Sequence, residues 1–481
     1  MARIPYGSVF TQRAAEAPGR VAVVCEDGML TRAELEAHAN RLAHCFRERG
    51  VGVGDLVTLG LPNGLCFVEA AVAAWKCGAV PNPISPRLPA RECRAILELA
   101  KPALVVGFDE LDHPFSRLTA DFEPPAGTPS EPLPEATPPY ERCLTSGGST
   151  GRPKLILLRL PGLFDPDVPA NMLTPEGPVL VPGPLHHAAP FGSLTQTLLA
   201  GEKCVVMSRF DASRCLELIE EHRIEQILFV PTMMHRIARL PEAERLVRDV
   251  SSLEMVMTGS APCPEWLMRL FIDWLGADVM HELYGGTERI GGTHITGREW
   301  LEHPGSVGKP FPTSEVEIRD PETHAALPTG EIGEIWFRPV GGRPTTYEYV
   351  GAERRDDGAG WETMGDMGRL DADGYLYLAD RRTDMILTGG RNVYPAQVEH
   401  ALEEHPAVAS SAVIGLPDED MGQRVHAIVQ TTRDVSDEAL LEYLRERVVP
   451  YALPRSFERV EEPLRDDAGK VRRFVLREAR L

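Results

Sequence analysis

The sequence predicts an α/β protein. It has a large N-terminal domain of parallel sheets flanked by helices, a β-barrel-like subdomain, and a small α+β C-terminal domain. Three features lead there. Helix and strand patterns alternate through the first hundred residues and again from about 178 to 290. Residues 300–380 turn into short alternating runs broken by Gly, Pro and acids, such as Gly333-Glu-Ile-Trp-Phe337, which read as antiparallel strands. The last hundred residues carry a self-contained set of helix and strand signals. A chain of 481 residues can bury the cores of two or three such units.

The elements follow in order. Thr31 and Glu34 have capping-box spacing; Leu35, Leu42 and Phe46 share one helical face, and Gly50 stops the helix. Residues 55–60 read as a short apolar strand, 64–77 as a buried helix ended by Gly78, 90–100 as a helix and 103–107 as a strand. Residues 121–141 hold seven prolines and several acids without apolar periodicity, which predicts a surface linker or ordered loop. Strands are then predicted at 179–181, 226–230 and 253–257, with a helix at 211–222. The C-terminal unit has helices at 395–404 and 436–447 and strands at 409–415 and 425–430.

A net charge of −21 and a pI near 5.2 argue against nucleic acid and acidic membrane surfaces as partners. No apolar run is long enough to span a membrane, and the N-terminus lacks a signal-type apolar segment. The nine cysteines are scattered without a Cys-x-x-Cys pair, which predicts free thiols in a reducing, cytoplasmic setting.

Residues 144–154, Leu-Thr-Ser-Gly-Gly-Ser-Thr-Gly-Arg-Pro-Lys, combine bare backbone amides, hydroxyls and one cation, the parts of an anion cradle. A flexible linker has the same composition. Only six of the 50 basic residues are lysines, which draws attention to Lys154. A Walker loop is excluded, because Arg152 and Pro153 separate Gly151 from Lys154. Tyr284-Gly-Gly-Thr-Glu288 offers a hydroxyl donor and a hard oxygen ligand beside an aromatic ring, or is an ordinary turn. Asp366 and Arg381 suit a ribose and a phosphate, or are solvated charges on hairpins. Ala468-Gly-Lys470 places a lysine near the C-terminus.

These elements, in this order and over nearly the whole chain, resemble the ANL superfamily of adenylate-forming enzymes. Gly389-Gly-Arg-Asn-Val-Tyr-Pro395 with Glu399 belongs to the same resemblance, and the runs Pro184-Leu-His-His187, Ala261-Pro-Cys-Pro264 and Asp380–Pro395 look closest to acyl-CoA ligases of the bile-acid type. The resemblance implies an N-terminal domain over 1–382 and a mobile C-terminal domain over 383–481, hinged at Thr383. It implies ATP, coenzyme A and Mg²⁺ as reactants and cofactor, a small-molecule carboxylic acid or its adenylate as partner, and leaves a homodimer open.

The same resemblance implies residue roles. Thr145, Ser146, Gly147, Gly148, Ser149, Thr150, Gly151 and Lys154 would hold the β- and γ-phosphates. Thr287 would bind the α-phosphate and Glu288 the Mg²⁺. Ser260, Ala261, Pro262, Glu282, Tyr284, Gly285 and Gly286 would complete the nucleotide site, with Asp366 on the ribose and Arg381 behind it. Lys470 would stabilise the adenylation transition state. Gly389, Gly390 and Tyr394 would meet CoA after domain rotation. His187 would gate or line the acyl pocket with Ala188, Gly192 and Gly259, small residues that suit a bulky, apolar acid, polycyclic ones included.

Thr383 at the hinge is one departure from the family pattern; three others are Gly148 in place of a hydroxyl residue, Leu155 in place of glycine, and Ala188-Ala189, which give little polar anchoring beside the gate. They keep open an enzyme that performs only the thioester half from a preformed adenylate. A stand-alone enzyme loading a carrier protein also fits the motifs. A degenerate adenylate-binding scaffold fits them less well, given that Lys154, Glu288, Asp366, Arg381 and Lys470 are all retained.

Overall fold

The computed structural model describes residues 3–147, 153–166, 176–341, 346–381, 384–466 and 469–481, with the backbone alone at 146–147 and 380–381. Among these residues the framework is a nine-stranded sheet. Its centre is parallel: Met280–Gly285, Met255–Gly259, Gln226–Phe229, Val179–Val181, Cys204–Val206 and Val21–Cys25 lie side by side. Antiparallel strands close both edges. A second sheet places Leu56–Gly60 between the parallel strands Val80–Pro83 and Leu104–Gly107. The strands Ser314–Arg319, Gly333–Pro339, Asp366–Leu370 and Leu376–Arg381 form the expected antiparallel unit.

The apolar helix Leu65–Lys76 is buried on nearly all sides, as its lack of a polar face requires. Its Trp75 stacks on Phe10 and Phe191, with ring centroids 6.1 and 5.8 Å away. Phe191 lies in the helix Ala188–Ala200, so this cluster anchors the segment that starts at His187. Truncating such a ring to alanine costs about 3–5 kcal/mol. The capping box of Thr31 and Glu34 forms as predicted at the helix Arg32–Glu48.

The strand predicted at 253–257 lies at Met255–Gly259, and the helix predicted at 436–447 is shorter, Asp437–Arg445. The phosphate-type run differs more. Its two arms are strands, Cys143–Gly147 and Pro153–Leu158, paired antiparallel with Ser146 opposite Lys154. The apolar residues flanking the run decide this: Leu155 and Cys143 are fully buried against Val80, Ile84 and Ile96. Leu155 therefore fills core space. In the C-terminal unit, the long hairpin Val408–Asp418 and Gly422–Thr431 packs against the helix Pro395–Glu403.

Candidate active site

Strand order explains why the predicted residues meet. Parallel strands all point their carboxyl ends to one edge, where loops converge. Val179–Val181 leads there to Gly183 and His187, Gln226–Phe229 to Thr232, Met255–Gly259 to Ser260, and Met280–Gly285 to Thr287 and Glu288. A Cβ on Gly286 would overlap Met364 Sδ at 2.0 Å, so the glycine lets the Met364 side chain lie against this turn.

Lys154 and Glu288 form the first cluster. Lys154 Nζ is 3.5 Å from Glu288 Oε1 and 3.8 Å from the Tyr349 ring centroid. Tyr349 donates its hydroxyl to the same Oε1 at 2.5 Å; burial, then the Glu288 charge, pushes the phenol pKa up. Thr346 Oγ1 donates to the Glu288 carbonyl at 2.8 Å. Thr145 Oγ1 is buried without a hydrogen-bond partner among the described residues, an orphaned donor of the kind an incoming oxyanion satisfies. Gly148, Ser149, Thr150 and Gly151 lie outside the described residues, as does the Ser146 side chain, while Gly147 ends its strand opposite Pro153.

A second cluster lies one strand over. Tyr284 donates its hydroxyl to Asp366 Oδ2 at 2.8 Å, so the predicted base-stacking ring and ribose carboxylate are joined directly. Asp366 faces Arg381 across the strand pair; the Arg381 side chain lies outside the described residues. Ser260 adopts a φ of 67°, an uncommon conformation for a non-glycine residue, and opens the loop through Ala261 and Pro262 to the helix Glu265–Leu275. Glu282 is buried; desolvation raises its pKa to about 8. Burial therefore favours the neutral form of this carboxyl. Gly285 is exposed at the strand end.

Lys470 comes to this edge from the C-terminal unit. A Cβ on Gly469 would lie 2.7 Å from Thr232 Oγ1, so the lysine loop packs closely on the N-terminal domain. His187 is held neutral: burial, then the facing charges of Lys470 and Arg472, depress its pKa to about 4. Arg472 also pairs with Glu92 at 3.4 Å. Arg239 bonds the Val408 carbonyl across the same boundary. Gly389 and Gly390 form the two-residue turn between Ile386–Thr388 and Arg391–Val393, with φ of 54° and 75°, and are exposed. Tyr394 caps the helix that follows. Thr383 lies outside the described residues.

Two of the small pocket residues have packing causes. A Cβ on Gly259 would lie 2.6 Å from the Leu283 carbonyl oxygen, and one on Gly192 would lie 3.2 Å from Arg142 Nη1. Gly192 thus accommodates an arginine. Arg142 is buried, donates to the Ala188 carbonyl at 3.3 Å, and shares Glu141 with Arg289 at 3.3 and 3.2 Å. Burial, then the Arg289 charge, lowers the Arg142 pKa to about 10.

Sequence reading missed Tyr349, Arg142 and Asn63. Asn63 Nδ2 donates to the Gly183 and Met207 carbonyls at 3.0 and 2.8 Å, and its Oδ1 accepts from Leu185 N–H at 2.8 Å. It therefore fixes the segment that ends at His187. Its only local signal is an Asn-Gly pair after a strand.

Residues 10–342 match the AMP-binding enzyme family and residues 397–470 match the AMP-binding enzyme C-terminal domain. A feruloyl-CoA synthase of Amycolatopsis sp is 33% identical, over 97% of each chain. A long-chain-fatty-acid–CoA ligase, FadD13 of Mycobacterium tuberculosis, is 30% identical over 98% of each. Among solved structures, the o-succinylbenzoate CoA synthetase of Bacillus subtilis with its acyl-adenylate intermediate superposes with a TM-score of 0.83 at 26% identity, covering 99% of this chain and 98% of that one. The chain belongs to the AMP-binding enzyme family, in its AMP-forming acyl-CoA synthetase class, and has the ANL fold. ATP, coenzyme A and Mg²⁺ are the reactants and cofactor of that class.

Proposed function

We propose that the protein activates a carboxylic acid with ATP and transfers the acyl group to coenzyme A, using both half-reactions. The observation that carries this reading is the close packing of the Lys470 loop, through Gly469, on Thr232 at the strand edge that also leads to His187, Thr287 and Glu288. In the first half, the substrate carboxylate attacks the α-phosphorus and pyrophosphate leaves. Thr145 and Lys154 hold the outgoing phosphates, and Thr287 holds the α-phosphate. Lys470 stabilises the charge that develops between carboxylate and α-phosphate.

Glu288 suits Mg²⁺, which takes one or two carboxylates together with substrate phosphates. Among the described residues no group of three or more His, Cys, Asp or Glu could hold a metal by itself, so substrate phosphates would have to supply the remaining ligands of a bound ion. The ion supplies charge neutralisation there. Tyr349 and Lys154 orient the carboxylate.

In the second half, the 383–481 domain rotates about Thr383, withdrawing Lys470 and bringing Gly389, Gly390 and Tyr394 to the CoA channel. The CoA thiolate attacks the acyl carbonyl and AMP leaves. A neutral His187 suits a gate that the apolar acyl group must pass.

For the acid, a compact aromatic carboxylate is the class favoured. The case for a bulky polycyclic acid rests on small residues, and two of them are small for packing reasons. Two relatives are named for aromatic acids, feruloyl- and 2-succinylbenzoate–CoA synthesis, at 33% and 29% identity.

The test is a panel of cinnamic, benzoic, fatty and bile-type acids, measuring acid-dependent pyrophosphate exchange and thioester formation separately. Both activities with aromatic acids support the proposal. Thioester from synthetic adenylate without exchange selects the split enzyme, and exchange without CoA use selects carrier loading.

A further inference from the structure

Lys470 sits between two half-buried arginines whose partners lie far away in sequence. Arg473 makes a bidentate pair with Glu399, at 3.2 and 2.7 Å, and directs its remaining nitrogen to Asp384 Oδ2 at 2.8 Å. Arg465 donates to Glu403 Oε1 at 2.7 Å, to the Ser411 carbonyl at 3.3 Å and to the Gly469 carbonyl at 3.3 Å, and lies 3.8 Å from Glu399. Glu399 and Glu403 are four apart on the helix Pro395–Glu403 and so share a face. Glu399 also accepts from Val413 N–H at 2.7 Å, and Glu403 from Ser411 N–H at 3.0 Å.

Two hydrogen bonds join Asp466 to Lys470. Lys470 N–H donates to Asp466 Oδ1 at 2.9 Å, and Asp466 N–H to the Lys470 carbonyl at 2.9 Å. The strand before it, Ser456–Arg459, ends well short of the turn, and the helix after it, Arg473–Glu478, is short. Asp384 is the first described residue after the hinge position. Arg473, three residues after Lys470, therefore ties the chain that carries the lysine to Asp384, with Glu399 held by the same guanidinium.

We propose that Arg473 is a positioning residue: through Asp384 and Glu399 it locks the Lys470 loop to the hinge, so the angle at the hinge sets where the lysine ammonium lies. The proposal rests on the reading of Lys470 as the adenylation lysine. A lysine side chain is long and flexible, and an error of about 1 Å in a charged group costs roughly 10²-fold in rate. A plain structural role would weaken both half-reactions together. A strut for Lys470 alone would weaken only the first.

The experiment uses the full chain with Lys470→Ala, Arg473→Met, Arg473→Lys and Asp384→Asn. Pyrophosphate exchange and thioester formation from synthetic acyl-adenylate are measured separately, with thermal melts of each variant. Selective loss of exchange in Lys470→Ala establishes the underlying reading, and its failure overturns that reading by itself. With that in hand, Arg473→Met is expected to lose ~10- to 100-fold in exchange kcat with less than ~2-fold change in thioester formation. Arg473→Lys falls between, since an ammonium cannot bridge both carboxylates as a guanidinium does. Asp384→Asn, which removes one link and leaves the Glu399 pair intact, loses ~3-fold in exchange and serves if Arg473→Met does not fold. Equal loss in both half-reactions, or no loss in exchange, overturns the proposal.

Discussion

Tyr349 and Lys154 grip the same carboxylate oxygen of Glu288, the phenol at 2.5 Å and the ammonium at 3.5 Å, and the ammonium also lies over the phenol ring. Two strands that pair directly, Tyr347–Val350 and Pro153–Leu158, bring them to it. The arrangement keeps the Glu288 side chain oriented and its charge balanced before any phosphate arrives.

Tyr349→Phe removes the hydrogen bond and keeps the ring. A charge-assisted bond of this kind contributes about 1.5–3 kcal/mol. We expect pyrophosphate exchange to fall about 10-fold and the Mg²⁺ concentration for half-maximal rate to rise, measured by a metal titration at fixed ATP. Lys154→Ala should instead raise KM for ATP by at least ~10-fold with a smaller change in Mg²⁺ dependence.

Thr145→Val tests the unpartnered hydroxyl. An unsatisfied buried oxygen costs stability, so its removal leaves the melting temperature unchanged or higher. The KM for ATP should rise ~5- to 10-fold, as expected for one lost phosphate contact. A lower melting temperature with unchanged KM would place the hydroxyl in the fold rather than the site.

Asn63→Ala removes both anchors of the segment 183–185 and the bond to the Met207 carbonyl, leaving two carbonyls and one amide to find other partners. The expected loss is about 2–3 kcal/mol in urea unfolding, together with a fall in kcat, because His187 follows two residues later. Asn63→Asp keeps the acceptor and loses both donations, so it should lie between.

Glu282 and His187 give opposite pH signatures. Burial raises the Glu282 pKa from 4.5 to about 8, so the folded state keeps a proton that the unfolded chain releases. Its contribution to stability is complete below pH 4.5 and is lost as pH rises to about 8. Glu282→Gln should therefore be neutral near pH 4.5 and stabilising by a few kcal/mol at about pH 8, read by urea melts across that range. His187 falls from 6.5 to about 4, so its cost appears as pH drops through that window. His187→Gln should flatten the acid limb of the stability curve there.

Legibility in the sequence follows the range of each signal. The capping box at Thr31, the buried helix at Leu65–Lys76 and the strand at Val179–Val181 are local patterns, and each formed where the pattern placed it. The run at 144–154 was recognisable by composition, but its strand arms depend on Leu155 and Cys143 meeting a core built by Val80 and Ile96. Gly192 and Gly259 carried an ambiguous signal, since a glycine beside a pocket and a glycine under an arginine look alike in one dimension.

The class of the protein is written in ordered motifs whose residues are chemically specific: Thr145 to Lys154, Thr287 and Glu288, Asp366, and Lys470. Which of them touch, and what holds them, comes only from folding. Tyr349 reaches Glu288 across 61 positions, Asn63 reaches Met207 across 144, and Arg473 reaches Asp384 across 89. Such pairs leave no periodic trace, because either partner alone is an ordinary polar residue. They are fixed when parallel strands align their carboxyl ends and when the chain near the C-terminus folds back onto Asp384 and Glu399.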